Sequence, residues 1–192
     1  MVVLVLAVIA VTIVIGVVVV ERYRTARLSD IDIDSCLRNV ARLDALAATG
    51  LMDAPPNSEL DALTSEAAQR LRAPMAIMSL LDERRAFFAS AHGLDGEIAV
   101  RRENPVHHSY CKYVVALDEP LKVNDSRRHR LVKDHPATLN GTRSYLGVPI
   151  RTQSGHTIGS FCVVDTVARH WTEGDLHILK NIGDRAMARV TS

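Results

Sequence analysis

The residues of this sequence best suited to chemistry are cysteines. Cys111 lies close to His107, His108 and Lys112, and neighbouring cations lower the pKa of a thiol and so favour the reactive thiolate. A buried cysteine is otherwise a small apolar residue that packs in a core. The residues around Cys111 therefore leave two interpretations open, a reactive thiol and a packed one.

Cys162 has a different setting, inside the apolar run of residues 158–164. A free cysteine in such a run is most often buried as a small hydrophobic residue, which favours packing over chemistry. Cys111 is far away along the chain, so the sequence leaves open whether the two thiols meet. If they do, they can form a reversible disulfide and act as a redox pair.

Two aromatic residues are candidates for the wall of a ligand pocket. Phe88 and Tyr145 fall in strand-like runs, and aromatic side chains on the face of a sheet offer a flat apolar surface to a ligand. Tyr145 adds a hydroxyl group. Packing in the core is the more common role for both residues.

The composition excludes several classes of function. With 23 Lys and Arg residues against 22 Asp and Glu, the chain has no excess charge that would attract nucleic acid. Three cysteines are too few for a disulfide framework. Adjacent histidines such as His107 and His108 point in different directions on a regular element, so no metal site is expected.

The first segment of the chain is strongly apolar. Residues 2–20 carry no charge, and only Thr12 and Gly16 interrupt the aliphatic run. A helix of about 20 apolar residues crosses the hydrocarbon core of a bilayer, so residues 1–21 are predicted to be a transmembrane anchor. A cleaved signal peptide is the alternative, but no basic residue follows Met1 and no small-residue cleavage site closes the run.

The charges after this segment predict its orientation. Arg22, Arg24 and Arg27 follow the apolar run, and positive residues flanking a span stay in the cytoplasm. The N-terminus is therefore predicted outside, with the remainder of the chain at the cytoplasmic face of the inner membrane. Residues 22–42 are predicted to be a helical juxtamembrane connector, and residues 43–192 the main domain.

The main domain begins with two predicted helices. Apolar residues from Leu43 to Leu51 follow the spacing of an amphipathic helix, which Gly50 is expected to end. Residues 52–57 contain two prolines and predict a loop. Asn57 or Ser58 can cap the second helix, which extends to about Arg72.

Strand-like runs follow in pairs. Residues 75–81 and 85–91 predict one hairpin, and residues 145–152 and 157–166 predict another. Between them we expect a short helix at 109–117, a short strand at 121–124, and a basic helix that begins at Asp125 or Ser126 and is limited by Pro136. Thr172 and Asp175 form the pattern of a capping box for a terminal helix. The order predicts an α+β domain with an antiparallel sheet.

These segments resemble the GAF family of sensor domains over residues 43–190. The most specific part is YLGVPIRTQSGHTIGSFCVVD, which combines G-V-P with G-x-x-C-V-x-D. The run MAIMSLLDERRAFFASAHGL resembles the first hairpin of the family, and RLDALAATGLMDAPPNSELDALTSEAAQRL its N-terminal helices. The triplet Ser109-Tyr110-Cys111 resembles a subfamily pattern with a cysteine at the start of the central helix.

The resemblance implies a single antiparallel sheet with helices on one side, a ligand pocket on the other, and a homodimer formed through flanking helices. It places Phe88, Ser109, Cys111, Tyr145 and Cys162 as candidate ligand-binding residues. Cys111 is followed by lysine where bilin-binding GAF domains have histidine, and the signature of cyclic-nucleotide GAF domains is not evident. The ligand and any cofactor therefore stay unidentified.

The function predicted from this resemblance is sensing in signal transduction, with a small molecule or partner as the input and a separate signalling partner as the output. Such a domain is not expected to be an enzyme. One alternative is a thiol redox switch, or an enzyme like the GAF-type methionine sulfoxide reductases, built on Cys111 and Cys162. A further alternative is a dimerisation scaffold that binds no ligand.

Overall fold

The computed structural model describes residues 31–190. In chain order the elements are α1 (Ile33–Leu37), α2 (Val40–Ala48), α3 (Ser58–Leu71), β1 (Met75–Leu81), β2 (Arg85–His92), α4 (Gly96–Arg101), β3 (Glu103–Pro105), α5 (Cys111–Leu117), β4 (Leu121–Val123), α6 (Pro136–Leu139), β5 (Ser144–Arg151), β6 (Thr157–Asp165) and α7 (Glu173–Val190). Single 3₁₀ turns lie at Val106–His108 and Ser126–Arg128.

The strands form a six-stranded antiparallel sheet in the order β3-β2-β1-β6-β5-β4. The two predicted hairpins, β1-β2 and β5-β6, meet where β1 pairs with β6. This arrangement confirms the predicted α+β class with an antiparallel sheet. It also places Ile77 of β1 opposite Cys162 of β6, which puts Cys162 near the middle of the sheet.

The hydrophobic core lies between one face of the sheet and helices α3 and α7. Alternate side chains of each strand point to this face, and Met78, Leu146 and Phe161 are fully buried there. Leu179 and Ile182 of α7 pack against them. Burial of apolar surface stabilises this layer by about 25 cal/mol for each Å² removed from water. The opposite face of the sheet is not part of this core and is available for a site.

Helix α5 lies on that opposite face, against β6, β5 and β1. Its last residue precedes Asp118, which has a left-handed backbone (φ 53°). The Asp118 carboxylate accepts a hydrogen bond from the Arg151 Nε at 2.8 Å and another from the Thr157 hydroxyl. These contacts fix the end of α5 to the β5-β6 hairpin.

The predicted capping box of the terminal helix is confirmed. The Thr172 hydroxyl accepts from the Asp175 N–H at 3.1 Å, and the Asp175 carboxylate accepts from the Thr172 N–H at 2.8 Å. Asp165 fixes the loop between β6 and this helix, because its carboxylate accepts a hydrogen bond from the Val167 N–H at 3.2 Å.

The predicted basic helix after Asp125 is wrong. Asp125 caps only a 3₁₀ turn, and turns continue from there to α6. The reason is that Ser126 is bonded to the segment that leads into β5: its N–H donates to the Arg143 carbonyl at 2.7 Å and its hydroxyl to the Thr142 carbonyl at 2.7 Å. Helix α4, which we did not predict, has no buried residue and therefore no apolar stripe to reveal it.

The predicted transmembrane anchor, residues 1–21, lies outside the part of the chain that the structure describes. So does the first part of the predicted connector, up to residue 30. Within residues 31–190, no helix is both long and apolar enough to cross a membrane.

Candidate functional site

A cavity of about 360 Å³ lies on the face of the sheet opposite the core. Strands β1, β2, β5 and β6 form its floor, and α5 closes one side. The residues around it are Met75, Ile77, Ser79, Phe88, Gly93, Leu94, Asp95, Ile98, Asn104, His108, Ser109, Tyr110, Cys111, Ala137, Asn140, Gly141, Thr142, Tyr145, Cys162, Val164 and Thr166. Binding sites for small molecules commonly range from about 300 to 1,000 Å³, so this cavity has room for one.

The structure brings all five sequence-predicted site residues to this cavity. Phe88, Tyr145 and Cys162 lie on its floor, and Ser109 and Cys111 lie where α5 begins. Alternation along the strands explains why the strand residues lie on the floor, because residues two apart in a strand share a face.

The two thiols meet at the edge of the cavity. The Cys111 and Cys162 sulfur atoms are 4.0 Å apart, and both side chains are buried. The Cys111 N–H donates to the Ser109 hydroxyl at 3.2 Å, which holds the first turn of α5 above β6. The contact that the sequence left open is therefore present, and the thiols are free rather than joined.

Tyr145 completes this polar group. Its hydroxyl donates to the Cys111 sulfur at 3.5 Å and shares a hydrogen bond with the Ser160 hydroxyl at 3.1 Å. Gly147 makes room for that arrangement, since a Cβ atom there would lie 2.1 Å from the Tyr145 hydroxyl oxygen. Tyrosine and glycine two residues apart in β5 thus act together to direct a hydroxyl towards a thiol.

The two thiols have opposite acidities. A hydrogen bond from Cys162 is the main cause that lowers the pKa of the Cys111 thiol to about 6, against the effect of burial. The same contact, followed by burial, raises the pKa of the Cys162 thiol well above its ordinary value. Burial also raises the pKa of Tyr145. Cys111 is therefore the thiol of the pair that loses its proton more readily, and Cys162 and Tyr145 are the groups that can donate to it.

A segment from the middle of the chain forms the rim of the cavity. The Tyr110 hydroxyl bonds the Thr138 hydroxyl, which in turn donates to the Val132 carbonyl. These contacts join the segment around α6 to the start of α5 and place Asn140 and Thr142 at the cavity. Sequence reasoning missed both residues because the segment is irregular.

Ser79 was also missed, although it lies inside the predicted strand β1. Its side chain is 1% exposed and faces the cavity. Its hydroxyl makes no hydrogen bond of ordinary geometry with the described residues, although it lies close enough to Cys111 to contribute to the lowered pKa of that thiol. A serine in an otherwise apolar run, MAIMSLL, was the available signal, because a buried hydroxyl requires a partner.

The charged groups around the cavity are few. Asp95 and His108 are the titratable residues of the lining besides the thiols and tyrosines, and among the described lining residues there is no lysine or arginine. The described residues also contain no group of three or more His, Cys, Asp or Glu side chains that could hold a metal ion. The site thus offers apolar surface, hydroxyl and amide groups and one reactive thiol.

Comparison with known proteins assigns the family. A family model for the GAF domain matches residues 55–190. The chain belongs to the GAF domain family. The cavity therefore occupies the face of the sheet on which the resemblance predicted a ligand pocket.

One curated protein with a similar sequence is an enzyme. The GAF chain is 28% identical over 144 residues to a cyclic di-GMP phosphodiesterase of Pseudomonas aeruginosa, a match that covers 73% of this chain and 24% of that protein. The chain thus spans about a quarter of the length of that relative.

Solved structures show the same fold. The GAF domain of a phosphoenolpyruvate-protein phosphotransferase from Coxiella burnetii superposes with a TM-score of 0.59 at 17% identity, covering 78% of this chain and 92% of that one. A type II free methionine-R-sulfoxide reductase from Thermoplasma acidophilum superposes with a TM-score of 0.57 at 17% identity, covering 69% and 90%.

Proposed function

We propose that this GAF domain is a regulatory sensor that binds a small uncharged molecule in the cavity on the free face of its sheet. One observation carries the proposal: a cavity of about 360 Å³ with an apolar lining, whose floor holds the buried hydroxyl of Ser79 without a hydrogen bond of ordinary geometry to the described residues. An unpaired buried hydroxyl costs about 1–3 kcal/mol. A ligand with one polar group next to an apolar body would recover that free energy.

The lining supports an uncharged ligand. Phosphate groups in protein sites are held by arginine, lysine or the N–H groups of long helices, and the described lining contains neither basic side chain. Ile77, Phe88 and Val164 offer apolar contacts, while Asn104 and Asn140 offer amides at the rim. The cyclic di-GMP of the relative's name is accordingly not proposed as the ligand here.

The cavity argues against the alternative of a ligand-free scaffold. A domain that only dimerises has no need for an apolar cavity with hydroxyl and amide groups on this face of the sheet, whereas binding sites for small molecules commonly have this composition. A ligand that prefers one arrangement of the cavity walls shifts the population of states by its difference in affinity for them.

A route for the output is present in the described residues. Helix α5, which begins at Cys111, packs against α1, and α1 directly follows the N-terminal segment in the sequence. A movement of α5 on ligand binding would therefore reach α1. We propose that the signal passes to a separate partner protein, from a homodimer held at the cytoplasmic face of the inner membrane by residues 1–21.

The experiment is intact mass spectrometry of the full chain, purified in detergent and measured under native and denaturing conditions. The expected result is extra mass in the native spectrum that disappears on denaturation. Val164→Trp fills part of the cavity wall and should abolish the extra mass. Val167→Trp is the matched control, because Val167 is 58% exposed and outside the lining.

Two results would count against the sensor. One is a native mass equal to that of the bare chain in repeated preparations from cells grown under different conditions. The other is extra mass that persists in Val164→Trp at the level of the Val167→Trp control, which would locate the ligand elsewhere.

A further inference from the structure

The thiol pair has features that binding of a neutral ligand does not require. Two buried sulfur atoms 4.0 Å apart border a cavity that is open to small molecules, and a tyrosine hydroxyl donates to one of them. Packing alone would be served by any pair of small apolar side chains at these positions.

We propose that Cys111 is an oxidation site for small hydroperoxides that enter the cavity, and that Cys162 resolves the product to a disulfide. The Cys111 thiolate attacks the distal oxygen of ROOH, the O–O bond breaks, and protonation of the leaving oxygen gives ROH and a sulfenic acid. The Cys162 sulfur then attacks the Cys111 sulfur, a water molecule leaves, and the disulfide forms. In balance, ROOH and two thiols give ROH, water and one disulfide.

Geometry assigns the two roles. Cys111 is the residue that receives the hydrogen bond from Tyr145 and lies at the start of a short helix over the cavity. Cys162 lies inside a central strand, between β1 and β5. The lowered pKa of Cys111 agrees with the role of attacking thiolate. Closing the disulfide requires the sulfur atoms to approach from 4.0 Å to about 2 Å, a change that brings the start of α5 and strand β6 under one covalent constraint.

The lining favours a hydroperoxide over a free amino-acid sulfoxide as the oxidant. An amino acid carries a carboxylate that a binding site normally pairs with a basic side chain, and the described lining has no lysine or arginine. Hydrogen peroxide and small alkyl hydroperoxides need no such partner, and they are small enough to reach thiols that are 4% and 2% exposed.

The inference concerns the same cavity as the proposed sensor function and would add a second input to it, but it does not need a ligand. Oxidation would remove the thiol that accepts from Tyr145 and tie the start of α5 covalently to β6. The opposing reaction, reduction by an external dithiol, would restore the pair.

The test exposes the reduced full chain in detergent to equimolar hydrogen peroxide, or to tert-butyl hydroperoxide, and then alkylates all remaining thiols under denaturing conditions. The expected product has lost roughly 2 Da, contains one alkylated cysteine, and gives a crosslinked peptide that joins Cys111 to Cys162. Dithiothreitol should reverse it. In Cys162→Ser the resolving thiol is missing, so dimedone should label Cys111.

Cys36→Ser is the matched control, because Cys36 is half-buried and outside the cavity; it should form the crosslink as the parent chain does. Three results would overturn the proposal: a crosslink that involves Cys36, dimedone labelling of Cys162 in Cys111→Ser as fast as that of Cys111 in Cys162→Ser, or reaction with free methionine sulfoxide as fast as with peroxide. Native mass of the same samples separates the two hypotheses: bound small molecule without a crosslink overturns only the oxidation site, and a crosslink in a bare chain overturns only the ligand sensor.

Discussion

The hydroxyl of Tyr145 and the thiol of Cys162 act on one atom, the sulfur of Cys111. Both can donate to it, at 3.5 and 4.0 Å. Each donor stabilises the thiolate relative to the thiol, and this offsets the opposite effect of burial. The hydroxyls of Ser109 and Ser79 act in the same direction, so the acidity of Cys111 is a property of its neighbours and not of Cys111 by itself.

Cys162→Ala tests this point. With the main donor removed and burial unchanged, the pKa of Cys111 should rise from about 6. The rate of alkylation by iodoacetamide, resolved by peptide, should then reach its half-maximum at a higher pH than in the parent chain. Cys36→Ser provides the control, in which the half-maximum for Cys111 should stay in place. An unchanged midpoint in Cys162→Ala would contradict the account.

A second prediction at the scale of a residue concerns His135 and the dependence of stability on pH. Its side chain is buried between the rings of Tyr110 and Tyr113, and its Nδ1 accepts from the Ala137 N–H at 3.1 Å. Burial, followed by the nearby Lys112, lowers the pKa of His135 from 6.5 to about 4. The unfolded chain therefore binds a proton below about pH 6.5 that the folded chain does not bind until about pH 4.

Stability that is present above pH 6.5 should consequently be lost as the pH falls towards 4. The free energy of unfolding of the parent chain, measured by urea denaturation, should drop between neutral pH and about pH 5 by on the order of 1 kcal/mol more than that of His135→Asn. Asparagine keeps a side-chain acceptor for the N–H of Ala137 but does not titrate. Equal pH dependence in the two proteins would show that His135 does not contribute.

At the scale of the elements, the side chain of Arg42 joins α1 and α2 to the sheet. Its guanidinium donates to the carbonyls of Cys36 at 3.3 Å, Leu37 at 2.5 Å and Leu81 at 2.7 Å. The side chain is 5% exposed, and burial lowers its pKa. Leu81 ends β1, so this single residue fastens the N-terminal helices to the edge of the β1-β2 hairpin.

Arg42→Met should release α1. Three carbonyls would lose a donor, at a cost of about 2 kcal/mol, and hydrogen exchange of residues 33–37 should become roughly tenfold faster or more. Arg38→Met is the control, since the Arg38 side chain is 69% exposed and its ion pair with Asp34 spans 4.0 Å, a type of contact worth little. Exchange rates that are equal in both variants would contradict the proposed fastening.

At the same scale, the sequence predicts the bounds of a strand or helix well where nearby residues determine them. Strand β1 has its predicted bounds because its apolar run ends at Asp82, whose carboxylate accepts from the N–H groups of Arg84 and Arg85 at 2.7 Å and forms the turn. Helix α2 begins at Val40 rather than Leu43, because Asn39 caps it through the N–H of Arg42. The prediction of a basic helix was wrong because Ser126 bonds to Thr142 and Arg143, which lie far away along the chain and leave no local pattern.

The candidate site shows the same division. Phe88, Tyr145 and Cys162 can be assigned to one face from alternation and family resemblance, but the 4.0 Å contact of the thiols depends on how α5 lies over β6. No local pattern encodes that placement. The Ser79 hydroxyl became a candidate only when its lack of an ordinary hydrogen bond to the described residues was visible.

At the scale of the whole molecule, the anchor stays a prediction from residues 1–21. The expected result is that the full chain remains in the membrane fraction after carbonate extraction, because an apolar run of that length crosses a bilayer. Replacing Val8 and Val14 by lysine should release it into the soluble fraction, since charges at the centre of a span cost several kcal/mol. Release of the parent chain by carbonate would contradict the anchor.

The most direct test of the central claim, that the cavity holds a small uncharged molecule, is a crystal structure of the full chain purified without added ligand. The account predicts non-protein electron density in the cavity between Phe88 and Tyr145, with a polar atom within hydrogen-bond reach of the Ser79 hydroxyl. A cavity closed by the side chain of Phe88, or occupied by water alone, would contradict it.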